Sequence, residues 1–373
     1  MALIFRVIFK KLHCSVAILF RILLFLYMLA IPLWVVNDAR IGLYDEFNYF
    51  FKFVYFFVVL LYFYYYRNLF DVEKIIKYII YAAFIIALLN VFCFIFDIGI
   101  KSYGEDYGFG TKAFYIDGNS LGLYMVLSNC ISVWYAFYKK NKWIFVAIII
   151  TCGTMLIGSR TAIAGTIIIW VSTILYVLFK PRDIIHMSLI NRVFICLIMG
   201  GGILYGIYSV TRFISNFDAY TIAKFSLESA VSPRENLIQE GNKIISDFNA
   251  IELFIGKSRS GGINELGANF LSQGEKKSIE ADFHDMILCF GWFLGGLMIL
   301  IQILVSGQII MAFVKRPSSL TFSFCMFSIL WIAVSYMAGH GFNNTMLAPI
   351  IGAFYMLSIR ISDRSYDKRI NLQ

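Results

Sequence analysis

Charge is what this sequence has least of. Only 15% of its 373 residues are Asp, Glu, Lys or Arg, against 60% hydrophobic, and that ratio excludes a water-soluble globule, which could not hide so much apolar surface. Strand-like alternation is missing too. The apolar residues come in runs of about 20, the length a helix needs to cross a hydrocarbon layer about 30 Å thick, so a closed β-barrel is excluded. The first apolar segment, reaching about residue 36 behind Arg6, Lys10 and Lys11, lacks a small-residue cleavage site and exceeds a signal-peptide core. It reads as an uncleaved span. The longest polar stretch holds no cysteine; all seven cysteines lie in or beside apolar segments, so no disulfide framework and no compartment follow from them. There is no internal repeat and no low-complexity segment beyond the aromatic "FNYFFKFVYFFVVLLYFYYY".

What is present is the pattern of an all-α, polytopic membrane bundle of about ten transmembrane helices. Candidate spans fall at about 16–36, 47–66, 76–96, 118–138, 142–158, 162–180, 192–211, 284–313, 319–339 and 344–361. An even count puts both ends on one side. Alternate short loops and the two termini carry eighteen Lys and Arg against five on the opposite side, which places both termini in the cytoplasm. Three regions result: spans one to seven over 1–211, a long external loop over 212–283, and spans eight to ten with a cytoplasmic tail over 284–373.

A loop of about 70 residues is usually functional or disordered, and this one carries helical signals. In "SPRENLIQEGNKIISDF", Ser232 reads as an N-cap, Pro233 as the first helical residue and Glu235 as the closing member of a capping box. Leu237, Ile238, Ile244, Ile245 and Phe248 share one face, so the helix lies on the membrane surface or over the bundle.

Arg234 falls in the first turn of that helix, where the macrodipole disfavours a cation. Either an anion binds there, since helix N-termini take phosphate readily, or the side chain is solvated or paired with Glu235 or Asp218. Arg160 in "GSRTAIAG" sits in a short external connection and either points into the bundle mouth or snorkels to headgroups. Lys257 and Arg259 in "LFIGKSRSGG" lie in a Gly/Ser-rich turn that is either a cradle for phosphate oxygens or an ordinary flexible turn. It is no Walker motif.

Of four histidines, His284 and His340 fall outside. On an unbroken helix, Gly291 and Gly295 share the face of His284, at about 700° and 1100° of rotation. That stripe is either a packing surface under an interfacial histidine or a groove for a chain-like ligand. Metal readings are weak: "DFHD" offers adjacent ligands that do not converge on one ion, and Asp38, Asp45 and Glu46 offer only loop carboxylates.

Taken in order, these stretches resemble the O-antigen polymerase and O-antigen ligase superfamily of bacterial envelope polysaccharide assembly. "KAFYIDGNSLGLYMVLSN" is similar to that family's entry to a span, with Asn119 at its centre. "LIGSRTAIAG" keeps Gly158, Ser159 and Arg160 but has Thr161 where a glycine is common. "SPRENLIQEGNKIISDFNAIELFIGKSRSGG" is similar to the loop segment in which an arginine starts a helix, with Arg234 and Ile238 four residues apart. "FHDMILCFGWFLGGLMIL" is similar to the histidine element, with Asp285 in place of the usual Asn or Ser. The resemblance covers roughly residues 100 to 310.

The resemblance implies a GT-C-like glycosyltransferase of the inner membrane, working on the periplasmic side in lipopolysaccharide or related polysaccharide biosynthesis. Its donor and acceptor are oligosaccharides linked to a polyprenyl diphosphate such as undecaprenyl diphosphate. His284, Arg234 and Arg160 become catalytic, Arg259, Lys257, Asn119 and Ser159 contact the substrate or its diphosphate, and Gly291 and Gly295 line a lipid groove. No metal, cofactor or nucleic acid is expected; membrane lipid, a chain-length regulator and a flippase of the same pathway are the expected partners. The polymerase is preferred, the ligase is the alternative, and a flippase is disfavoured because the span interiors are nearly free of charge apart from Arg21.

Overall fold

A computed structural model describes residues 15–37, 42–102, 110–139, 143–179, 227–271, 278–342 and 344–362. Among them there is no strand, only a single bridge between Lys101 and Thr111. The helices are α1 (Ser15–Asn37), α2 (Leu43–Tyr65), α3 (Val72–Ile95), α4 (Gly118–Trp134), α5 (Ile144–Met155), α6 (Arg160–Phe179), α7 (Leu227–Ser246), α8 (Ala250–Ile255), α9 (Arg259–Leu271), α10 (Asp282–Phe290), α11 (Gly296–Lys315), α12 (Ser319–Met337) and α13 (Ala348–Ser362). Among the described residues seven helical segments are long and apolar enough to cross a membrane, and α5 and α13 are shorter apolar helices. The chain is therefore a multi-pass helical membrane protein. The expected span at 192–211 lies outside the described residues.

The helices fall into two compact units. The first is drawn from Met1–Leu69, Val231–Met311 and Trp331–Gln373, the second from Phe70–Ala230 and Ala312–Leu330. In the first, α2 buries the aromatic stripe Phe50, Phe53, Phe57 and Leu60, at steps of three and four residues. Phe57 stacks on Phe20 of α1, and Phe53 packs against Phe342. α13 lies against α2, with Gly352 so close that an added Cβ would stand 2.8 Å from the Phe63 ring.

The second unit is organised on α4, which is buried along nearly its whole length and packs against α3, α5 and α6. Apolar solvent outside a membrane helix gives no drive for helices to meet, so small residues and polar bonds do that work. Gly153 of α5 leaves no room for a Cβ against the backbone of Ala87, and Asn90 donates to its carbonyl at 3.2 Å. Thr151 receives the Trp170 indole N–H at 3.0 Å and bonds the Asn129 amide at 3.2 Å.

Two expectations about the long loop and the span after it need correction. Helix α7 begins at Leu227, so Ser232 is not its N-cap and Pro233 lies inside it; proline removes one donor there without ending the helix. Arg234 is thus more than one turn in, away from the free N–H groups, and the argument from a misplaced charge loses its basis. Its side chain lies outside the described residues. The apolar face is as expected: Leu237, Ile244 and Phe248 are buried in a cluster with Leu266, Ile279, Ala281 and Leu288, with Ile238 and Ile245 packed alongside. Since Leu288 belongs to α10, the helix packs on the protein.

The span expected over 284–313 is broken. α10 stops at Gly291, whose φ of 70° and ψ of 178° suit only glycine, and a π-helical turn over Gly291–Gly295 leads into α11. The rotation argument needed one continuous helix, so His284, Gly291 and Gly295 do not form a stripe. Both glycines are buried against backbone: a Cβ at Gly291 would meet the Gly256 nitrogen at 2.6 Å, and one at Gly295 would strike the Met286 carbonyl. They are contact points between chain segments.

Candidate functional site

In the first unit the segment "GKSRSGG" is built around one carboxylate. Ser258 caps α9, its hydroxyl accepting from the Gly261 N–H at 3.0 Å and its carbonyl from the Gly262 N–H at 3.1 Å. The next N–H groups face Glu46 of α2. Its carboxylate receives the Arg259 N–H at 3.2 Å, the Ser260 N–H at 2.6 Å and the Ser260 hydroxyl at 2.7 Å. Glu46 is fully buried, and these donors are what make a buried carboxylate tolerable. The expected phosphate cradle is therefore occupied, by the protein's own anion.

The two cations of that turn have different fates. Lys257 lies 2.7 Å from Glu265 and 3.6 Å from Glu252. Burial works against its charge, but the bond and field of Glu265, aided by Glu252, more than offset this and hold its pKa above the ordinary lysine value. Arg259 has no carboxylate within ion-pair distance among the described residues. Its guanidinium rests over the Tyr49 ring, 5.0 Å from the centroid, and one terminal nitrogen lies 4.0 Å from the Cys289 sulfur.

Helix α10 carries His284 between two aspartates that act as clamps. Asp282 accepts from the backbone N–H groups of His340, Gly341 and Phe342 at 2.9, 2.8 and 2.7 Å. These consecutive donors, with Gly339 and His340 both at left-handed φ, form a nest around the carboxylate. Asp285 is buried and accepts from the Ile279 N–H at 2.9 Å. The acid at that position thus has a structural task, tying the segment before α10 to the helix. His284 itself is half-buried, 6.1 Å from the Tyr336 ring centroid, and its Nδ1 has no hydrogen-bond partner among the described residues.

The second unit holds the other predicted residues. Asn119 lies exposed in the first turn of α4, where Asp117 caps the helix by accepting from the N–H groups of Asn119 and Ser120. Ser159 is buried and caps α6, its hydroxyl accepting from the Ala162 N–H at 3.2 Å, so that hydroxyl has a structural job. Arg160 is the first residue of α6 and is half-buried. Asn119, Ser159 and Arg160 belong to one unit, and Lys257, Arg259 and His284 to the other.

The chain matches no family model, and no curated protein matches it significantly. Sequence reasoning missed Glu46 and Tyr49 as parts of the site. A signal was present for Glu46: it stands four, seven and eleven residues before Phe50, Phe53 and Phe57, on the buried face of an aromatic helix. A carboxylate in that register requires donors from elsewhere in the fold. Among the described residues no group of three or more His, Cys, Asp or Glu could hold a metal ion.

Proposed function

We propose that this chain is a polymerase of lipid-linked oligosaccharide repeat units, an inverting glycosyltransferase acting at the periplasmic face of the inner membrane within a GT-C-like bundle of about ten spans. The observation that carries this reading is what one nine-residue helix carries along its length. Its first turn presents a half-buried imidazole, and Cys289, five residues further on, touches the guanidinium of Arg259. A base and an oxyanion donor on one short helix that leads into an apolar segment suit a substrate whose lipid lies in the membrane and whose diphosphate lies at its surface.

In the proposed reaction the acceptor hydroxyl oxygen attacks the anomeric carbon of the donor glycan. The bond from that carbon to the diphosphate oxygen breaks, and polyprenyl diphosphate leaves with the electron pair. His284 takes the hydroxyl proton; its side chain titrates near working pH when unperturbed. Negative charge grows on the leaving diphosphate, and arginines already in place stabilise it more than they stabilise the ground state. Arg234 and Arg259 are assigned that role. Lys257, neutralised by Glu252 and Glu265, is the weaker choice.

The test is the glycan profile of a deletion strain complemented with wild type or His284→Ala. Loss of the protein should leave single repeat units on the surface lipid, and His284→Ala at normal abundance should fail to restore polymer, with transfer reduced about 10²- to 10⁴-fold. Full polymer from a well-expressed His284→Ala protein removes the base assignment. Polymer retained on the lipid carrier indicates a ligase instead, and units stranded on the cytoplasmic leaflet indicate a flippase.

A further inference from the structure

The strongest unassigned geometry surrounds Arg259. We propose that Glu46 and Tyr49, one turn apart on α2, are positioning residues that hold the Arg259 guanidinium ready for an oxyanion of the substrate. The nature of that oxyanion, a lipid diphosphate, rests on the function proposed above.

Glu46 fixes the backbone. By taking the N–H groups of Arg259 and Ser260 together with the Ser260 hydroxyl, it pins the first turn of α9. It also fills the helix end that would otherwise compete for an anion. An incoming oxyanion is thereby directed away from the backbone and toward the side chain.

Tyr49 fixes the head group. Three residues after Glu46 on the same helix, its ring lies under the guanidinium at 5.0 Å and is itself stacked on Phe290 at 5.4 Å. A guanidinium lying on a ring face uses that face for the cation–π contact and keeps its N–H donors at its edge. The one described acceptor for a guanidinium N–H is the Cys289 sulfur at 4.0 Å, a weak partner for one of five donors. Burial works against the Arg259 charge, while Cys289, then Tyr49, then Asp285 raise its pKa; the Asp285 Oδ1 is itself engaged by the Ile279 N–H. The result is a half-buried, restrained cation with donor capacity to spare, which is the preorganisation that charge stabilisation requires. A purely structural arginine in this setting would be expected to spend those donors on a carboxylate or on backbone carbonyls, as Lys257 does on its two glutamates.

The test uses the full chain in detergent or nanodiscs with geranylgeranyl diphosphate as the probe, its affinity measured by calorimetry alongside thermal unfolding of each variant. Wild type should bind, and Arg259→Ala and Arg259→Lys should each weaken binding by about tenfold or more, since lysine cannot lie flat on the ring and offer the same fork. Tyr49→Leu should weaken it about three- to tenfold, while Tyr49→Phe, which keeps the ring face, should restore the loss. Glu46→Gln, which sets an amide donor against the N–H groups of α9, should weaken it as well. A folded Arg259→Ala protein with unchanged affinity overturns the proposal, and so does a wild type that does not bind the diphosphate. Equal binding by Tyr49→Leu and Tyr49→Phe overturns the positioning role of the ring. Binding is scored without turnover, so the two readings fail separately. The expected pattern in a strain that shows no polymerisation defect sinks the transferase, while polymerisation lost in His284→Ala with diphosphate binding indifferent to Arg259 and Tyr49 sinks the positioning role alone.

Discussion

Two helices of this chain open on the same dipeptide, Ser159-Arg160 at α6 in one unit and Ser258-Arg259 at α9 in the other. In both a serine is the cap, its hydroxyl accepting from the N–H three residues on and its carbonyl from the N–H four residues on. In both an arginine is the first helical residue, at the end of the macrodipole that repels it. The difference lies one residue further along. Ser260 gives its N–H and its hydroxyl to Glu46, whereas Thr161 makes no hydrogen bond to a carboxylate among the described residues. At α9 the repulsion is offset by a dedicated anion that bonds the backbone, so the Arg259 guanidinium is left with no carboxylate within ion-pair distance among the described residues. The comparison teaches that an arginine at a helix start does not by itself mark an anion site, because the protein can supply the anion.

The most damaging way to break that comparison is Glu46→Ala. It leaves two buried donors and one part-buried donor of α9 without an acceptor, and at roughly 1–3 kcal/mol for each the loss should reach about 3 kcal/mol or more. Thermal unfolding in detergent would show it as a large fall in Tm, and a Tm unchanged within error would mean that Glu46 does not hold the α9 start.

That glutamate also shows how much of the site the sequence held. The apolar helices among the described residues were legible because continuous apolar runs have few alternative uses, and the buried face of α7 was legible because Leu237, Ile244 and Phe248 obey one period. Glu46 was legible in its register with Phe50 and Phe53, though its partner, more than two hundred residues away, was not. The break at Gly291 was hidden for a different reason: hydropathy runs unbroken across it, and what demands a glycine is its backbone conformation and the close approach of Gly256. The true start of α7 was hidden by a locally convincing cap. Such signals report what a short segment prefers, and the tertiary context extended the helix past it.

A sharper, smaller test pairs the residues after the two arginines. Ser260→Ala removes one hydrogen bond to a buried carboxylate and should cost about 1.5–3 kcal/mol, while Thr161→Ala should stay within about 0.5 kcal/mol. The comparison to read is the difference between the two Tm shifts in one background. Equal shifts would mean that the α9 start gains nothing from Glu46 beyond ordinary capping.

The smallest effect is expected at Asp285. The Ile279 N–H reaches Oδ1 at 2.9 Å, and an asparagine can present its carbonyl oxygen to the same donor, so Asp285→Asn should change stability by no more than about 0.5–1 kcal/mol. Asp285→Leu, of similar size but with no acceptor, should cost more, about 1–3 kcal/mol, because it leaves the Ile279 N–H buried and unsatisfied. If Asp285→Asn is instead as harmful as Asp285→Leu, the carboxylate charge matters as well as its oxygen. Arg259 is a described cation that could require that charge, since it and Asp285 act on each other through space, and the account of the α9 start would then have to include Asp285 beside Glu46.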